Sequence, residues 1–295
     1  MIQILKNPNY DFLGKRKYFY IVSGVVILAG IVSFIVRGPN YGIDFTGGSV
    51  VELHFDKRVE ISEIRNKLSQ LGISDATIQE IKELRYNYLI RTPPKEGIGE
   101  QIAALFTPSP RIEREELVGP SVSEGFRMRA IWAVLLGFVV ILIYVWIRFT
   151  FKWGVCAVVA LVHDVLVTVG VMSLLGKELT ISTVAALLTI IGYSINDSIV
   201  ISDRVRENLH GLRKRMLPDI VNTSVNQTLS RTILTSLTVL FVLLVLFFFG
   251  GRVIHDFALA LIIGCISGVY STVYILSALV IDWERRSATT IAARK

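Results

Sequence analysis

The sequence predicts an α-helical polytopic membrane protein with six transmembrane helices plus one external α+β domain of ferredoxin-like order. Three observations carry this. Of the 295 residues, 52% are hydrophobic and 19% charged, and the mean hydropathy is +0.57; soluble domains run at about 45–50% and about 25%. The charge is unevenly spread, and several stretches of about 20 residues carry almost none, as a hydrocarbon core about 30 Å thick requires. Between the first two of these runs lies a polar segment, Gly38 to Arg129, with strand and helix periodicities of its own.

The apolar runs are Tyr18–Val36, Ala130–Ile147, Gly154–Leu175, Ile181–Ile201, Ile233–Phe249 and Phe257–Ile281. At a rise of about 1.5 Å per residue each can cross the core. The first follows Lys15, Arg16 and Lys17, but it is too long for the apolar part of a signal peptide and no A-x-A site follows, so it reads as an uncleaved first helix. The organisation is then a segment 1–17, a helix 18–36, an external domain with linkers 37–129, helices two to six over 130–281, and a segment 282–295.

Positive charge sets the orientation. Lys6, Lys15, Arg16, Lys17, Arg148, Lys152, Arg204, Arg206, Arg213, Lys214, Arg215, Arg285, Arg286, Arg294 and Lys295 fall on one side, and the opposite short loops carry only Lys177 and Arg252. Both termini are therefore expected in the cytoplasm and residues 37–129 outside. This bias accounts for the net charge of +7 and the pI of about 9.4 without nucleic acid as a partner. Arg213, Lys214 and Arg215 read as topology signals or contacts to anionic lipid.

Within the polar segment, Ser49–Phe55 alternates like a strand. Ile61, Ile64, Leu68 and Leu71 recur at helical spacing. Ala76–Glu83 and Tyr86–Arg91 are strand-like, Ile98–Phe106 is a short helix and Arg111–Val118 a last strand. The order β-α-β-β-α-β is the ferredoxin-like split pattern. Just before it, YGIDFTGG (Tyr41–Gly48) reads as a turn. Gly47 and Gly48 allow positive φ or close backbone approach, and the context lacks the strand–loop–helix form and the lysine of a phosphate loop.

Two cysteines, Cys156 and Cys265, lie inside apolar runs and read as packing residues rather than a disulfide or metal site. The histidines have no ligand spacing. No metal or cofactor is expected, and no nucleophile–base spacing suggests an enzyme. Asn222-Thr-Ser and Asn226-Gln-Thr match the glycosylation pattern but fall on the cytoplasmic side and are discounted. Gly264, Ser267, Gly268 and Ser271 mark one side of the last span, a spacing that close helix packing explains.

The polar pair Asn196–Asp197 interrupts an otherwise apolar fourth span. A carboxylate at the middle of a membrane helix costs about 2.5–3.5 kcal/mol on insertion scales. A low dielectric penalises the charged form, so such a group can exchange a proton during a working cycle. The alternative is a structural clamp to a neighbouring helix. Asn196 is placed to hydrogen-bond a neighbour and fix the local geometry. His163 and Asp164 sit ten residues into the third span, and Asp203 lies at the boundary beyond Asp197. Arg231 opens the fifth span after polar residues that could carry its helix inward. An arginine facing Asp197 would make a two-state element whose pairing loosens on protonation, and headgroup snorkelling is the alternative.

These features together resemble one family, the SecD/SecF auxiliary subunits of the bacterial Sec translocon. The residues that carry the resemblance are GIDFTGG (Gly42–Gly48), VGPSV (Val118–Val122), the pair His163–Asp164, GYSINDSIVISDRVREN (Gly192–Asn208) and SRTILTS (Ser230–Ser236), in the family's order along most of the chain. The resemblance implies the resistance–nodulation–division fold and a SecD partner that supplies a second, pseudo-symmetric set of six helices. It also implies work at the SecYEG translocon on preprotein substrates, driven by inward proton flow coupled to motion of the external domains. By position in the motifs, Asp197 matches the family's proton-carrying carboxylate and Arg231 its basic partner. His163, Asp164, Asn196 and Asp203 match motif positions of less definite role, and Asp44, Gly47 and Gly48 the external-domain motif. A membrane potential contributes about 2.3 kcal/mol per charge per 100 mV, enough to bias a conformational equilibrium about 50-fold. The loop Asn40–Gly48 is the candidate for part of the hinge. Two alternatives stay open: a small-molecule efflux transporter of the same superfamily, against which the small external domain argues, and a scaffold of the translocon without proton coupling.

Overall fold

The structure is a computed structural model of the chain, and it describes residues 8–81, 84–211 and 215–292, with no side-chain description for 252–253 and 286–292. Lys6, Lys82, Glu83, Arg213, Lys214, Arg294 and Lys295, and the side chains of Arg252 and Arg286, lie outside the described residues. The chain divides into two compact units, Met1–Asn40 with Trp132–Lys295, and Tyr41–Ile131.

The smaller unit is built on a four-stranded antiparallel sheet in the order β2-β3-β1-β4, with β1 Gly48–His54, β2 Thr77–Glu80, β3 Asn87–Thr92 and β4 Arg111–Val118. Helices α3 Ile61–Gln70 and α4 Ile98–Ala103 complete the ferredoxin-like βαββαβ order. The alternation read in the sequence is the physical cause: Val51, Leu53 and Phe55 point to one face of β1, where they meet Tyr88 and Ile90 of β3, Ile64 and Leu68 of α3, and Ile98 and Ile102 of α4. The opposite face carries Val50 beside polar residues, among which Asn87 donates from Nδ2 to Glu52 Oε1 at 3.0 Å. Tyr88 closes the core with its hydroxyl on the carbonyl of Val59 at 2.7 Å, and burial pushes that phenol above its ordinary pKa.

The YGIDFTGG stretch contains a short helical turn, α2 Ile43–Thr46, rather than a plain turn. The two glycines that follow have φ of +72° and +136°. A Cβ on Gly48 would stand 2.9 Å from the carbonyl oxygen of Thr92, so only glycine lets β1 begin there against β3. The first helical turns of α5 (Pro120–Arg148) lie in this unit, and Arg127 donates to the carbonyl of Phe45 at 2.7 Å.

The larger unit holds the membrane helices. Among the described residues, six runs are long and apolar enough to cross a membrane: α1 Arg16–Arg37, α5 Pro120–Arg148, α6 Phe151–Leu174, α7 Ile181–Gly211, α8 Leu217–Phe249 and a last run, Ile254–Arg285. The last run comprises most of α9 Gly251–Tyr270, a π-helical segment Ser271–Leu276, and the start of α10 Ser277–Ala292. The central helices α6 and α7 and the last run are the most buried, while α1, α5 and α8 keep most of their surface uncovered. Small residues let α1 approach α6 closely: a Cβ on Gly30 of α1 would stand 2.5 Å from Cα of Gly170 of α6, and Ser33 bonds Ser173 at 3.1 Å on the same line. Gly264 and Gly268 of α9 likewise admit Ile190 and Ser194 of α7. Cys156 and Cys265 are buried, free and part of separate apolar clusters.

The candidate hinge is anchored at its start. Arg37 donates to the carbonyl of Leu174 at 3.1 Å. Asn40 donates from Nδ2 to Gly176 O at 3.0 Å and accepts from the Leu179 N–H at 2.8 Å. The end of α1 is therefore tied to the α6–α7 turn at Asn40.

Candidate functional site

Two carboxylates lie inside the helix bundle. Asp197 is near the middle of α7 and is 4% exposed. Tyr193, one turn earlier, donates to Ser236 of α8 at 3.0 Å, and Asn208 donates to Ser224 of α8 at 2.8 Å. These two bonds fix an antiparallel register that puts Asp197 level with Thr232. Asp197 Oδ2 and Thr232 Oγ1 are both buried and both without a hydrogen-bond partner. Burial of an unpaired polar atom costs roughly 1–3 kcal/mol, so two of them at one level of one helix pair mark a place that is not optimised for stability.

Arg231 is the neighbour of Thr232 in α8. Its charge acts on Asp197, yet no ion pair within 4.0 Å joins them, and the Arg231 side chain is exposed at the bundle surface. The direct contact considered from the sequence is not formed. The helix turns Thr232 toward the interior and Arg231, 100° away, to its edge. Asn196 also departs from expectation. It is exposed, with no hydrogen-bond partner among the described residues of this chain, because α7 presents Asp197 and Ser198 inward and turns Asn196 out.

The second carboxylate, Asp164 of α6, is fully buried and fully partnered. Oδ1 accepts from Ser267 at 2.6 Å and Oδ2 from Ser194 at 2.7 Å and Ser271 at 2.8 Å, while His163 Nδ1 lies 3.1 Å from Oδ1. The network runs on: His163 Nε2 is 3.0 Å from Ser23 of α1, Ser23 bonds the hydroxyl of Tyr270 at 2.9 Å, and that hydroxyl reaches the carbonyl of Phe19 at 2.7 Å. Three helices, α6, α7 and the last run, meet at this one side chain, and His163 extends the network to α1. Ser267 and Ser271, which packing alone seemed to explain, supply two of its hydroxyls. Ser271 opens the π-helical segment, whose Thr272 also bonds Ser198 of α7 at 3.2 Å.

Asp203 is not part of either site. It pairs with Arg148 at the end of α5, at 2.9 Å, with both side chains over 40% exposed. Asp44, Gly47 and Gly48 belong to the smaller unit and its α2–β1 junction.

The sequence pattern described as "Protein export membrane protein SecD/SecF, C-terminal" matches residues 98–286, and that of the "SecD/SecF GG Motif" matches residues 32–58. The protein translocase subunit SecF of Desulfurispirillum indicum is 42% identical over 93% of this chain and 92% of its own length. SecF of Haemophilus influenzae is 40% identical over 93% of this chain and 86% of its own. The protein translocase subunit SecDF of Thermus thermophilus is 41% identical over 98% of this chain, which spans 40% of that longer protein. The crystal structure of SecDF, a translocon-associated membrane protein from the same organism, superposes with a TM-score of 0.86 at 41% identity, covering 95% of this chain and 39% of the solved one. A second structure, of SecDF in a super-membrane-facing form, gives a TM-score of 0.74. The chain belongs to the SecD/SecF protein-export family and, within it, to the SecF translocase subunits.

Proposed function

We propose that this translocase subunit, together with SecD, uses proton flow through the membrane domain to move its external domain and promote late stages of preprotein export at the SecYEG translocon. The fused SecDF relative supports SecD as the partner. The positive-charge bias supports an orientation with both termini in the cytoplasm and residues 37–129 outside. Protons are the coupling ion and no cofactor takes part. Asp197 is the proton-exchanging carboxylate. Arg231, whose charge reaches it without an ion pair, sets the balance between its charged and neutral forms. Asn196, exposed on the outer side of α7, faces lipid or SecD.

The observation that carries this reading is the unpartnered oxygen of Asp197 at the middle of a buried helix. An acceptor with no donor can take a proton, or a water that delivers one, without first breaking a bond. The test is Asp197→Asn in membrane vesicles with SecD and the translocon. Export that depends on the proton motive force is expected to disappear while assembly with SecD is retained. Undiminished force-dependent export by that variant overturns the reading. The scaffold alternative requires that Asp197→Asn and Arg231→Gln together leave export intact.

A further inference from the structure

Two asparagines of α8 hold a segment from the start of the chain. The backbone N–H of Tyr10 donates to Asn226 Oδ1 at 2.8 Å, and that of Phe12 to Asn222 Oδ1 at 3.0 Å. Both amide nitrogens return the contact, donating to the carbonyl oxygen of Tyr10 at 3.0 Å from Asn222 and 2.9 Å from Asn226. The fit has a geometric cause. Residues four apart on a helix are separated by about 6 Å of rise. Alternate residues of an extended chain are separated by about 6.7 Å. An asparagine pair at this spacing therefore offers a passing backbone the donors and acceptors that a neighbouring strand would.

The segment is also seated by packing. Phe12 and Leu13 are 8% and 4% exposed, in one cluster with Val221 and Val225 of α8 and Val273 and Ile281 of the last run. Phe12 stands edge-on to Tyr274 at 5.6 Å, and Arg16 Nε pairs with Asp282 at 3.2 Å. The strap thus joins the starts of α1 and α8 to the end of the last run. Asn226 precedes Arg231 on α8 by five residues, about 7.5 Å of helix.

We propose that Asn222 and Asn226 are positioning residues for the coupling reaction: by clamping the backbone of Tyr10 and Phe12 they bind residues 8–15 as a strap that fixes the part of α8 leading to Arg231. This rests on the reading of Asp197 and Arg231 given above. The clamp reads backbone groups, so it tolerates any residue but proline at position 10. It also accounts for two Asn-x-Ser/Thr matches on the side of the membrane where glycosylation has no part.

The experiment uses the full chain with SecD in inside-out vesicles, with Cys156 and Cys265 changed to alanine and Leu13→Cys as reporter. Tyr10→Pro removes one clamped N–H without touching α8, and the Tyr10 side chain is 54% exposed. Asn226→Ala removes the matching amide. Each is expected to raise labelling of Cys at position 13 by a membrane-impermeant maleimide about tenfold, as expected for local opening. Each is also expected to lower force-dependent export, and the double variant should lose no more than either single one. Unchanged labelling, additive export losses, or full export with a released strap each overturn the proposal. If Asn226→Ala fails to accumulate, Tyr10→Pro alone carries the test. Arg231→Gln is run in parallel. Normal export by that variant removes the coupling role of Arg231, and with it the assignment of the clamp to coupling, while labelling still reports whether the clamp exists.

Discussion

Asp164 and Asp197 stand on adjacent helices of one bundle, at 0% and 4% exposure, and differ in almost everything else. Asp164 has three serine hydroxyls and a histidine nitrogen around it, drawn from α6, α7 and the last run. Asp197 has a buried oxygen with no partner and a positive charge held at a distance. Burial alone therefore does not distinguish the two carboxylates. Asp164 has both carboxylate oxygens engaged by neighbouring helices, which suits a fixed junction. Asp197 Oδ2 takes part in no such junction.

The largest expected effect breaks the comparison at Asp164. Asp164→Ala removes the acceptor shared by α6, α7 and the last run and leaves several buried donors facing a void. Each buried donor left unsatisfied costs about 1–3 kcal/mol, so a loss above about 3 kcal/mol is expected. It should be visible as a collapse of thermal stability in detergent. Asp197→Asn breaks no bond at Oδ2 and should leave the melting temperature within a few degrees while stopping force-dependent export. If the ranking came out reversed, with Asp197→Asn the destabilising change, the division between a structural and a working carboxylate would not hold.

Gly30→Val sharpens the same contrast. The new side chain meets the Gly170 backbone and pushes α1 off α6. Two turns away, Ser23 is held at 3.0 Å from His163, so the displacement is transmitted to the Asp164 network rather than to Asp197. Overpacking of this kind costs typically about 1–3 kcal/mol. The expected phenotype is lower stability with force dependence retained by the molecules that assemble, read as export per folded subunit.

The outline of this molecule was legible because its signals are local. Alternation at Val51, Leu53 and Phe55 and helical spacing at Ile64 and Leu68 report the burial of each element directly, and the sheet order follows from the split βαβ pattern. The apolar runs are legible for the same reason, though α7 and α8 extend past them because polar residues continue the helix beyond the core. What escaped depends on pairs far apart in sequence. Ser194, Ser267 and Ser271 look like small packing residues until the helices converge on Asp164, and nothing at their positions names the acceptor. Asn222 and Asn226 carry a motif that points elsewhere, and their partners lie more than 200 residues away. The rotational phase of α7 and α8 was also beyond reach. Arg231 and Asn196 are polar residues in membrane helices, and only the packing reveals that both turn outward.

The smallest expected effect is at Asp203, and it is useful because a charge-based reading would expect more. Asp203 lies six residues beyond Asp197 on the same helix, within a motif that resembles the family's. Its carboxylate, however, meets Arg148 at 2.9 Å where both side chains are exposed. Exposed pairs contribute about 0–1 kcal/mol and are screened by salt. Asp203→Asn is therefore expected to shift stability by less than about 1 kcal/mol. Force-dependent export should stay close to that of the unaltered chain, since the substitution leaves the empty oxygen of Asp197 and the distant charge of Arg231 as they were. An export defect at Asp203 comparable to that of Asp197→Asn would mean that proton exchange extends along α7 to its boundary, and that an exposed, paired carboxylate takes part in it. The contrast drawn from hydrogen-bond partners would then have to be replaced by one drawn from position along the helix.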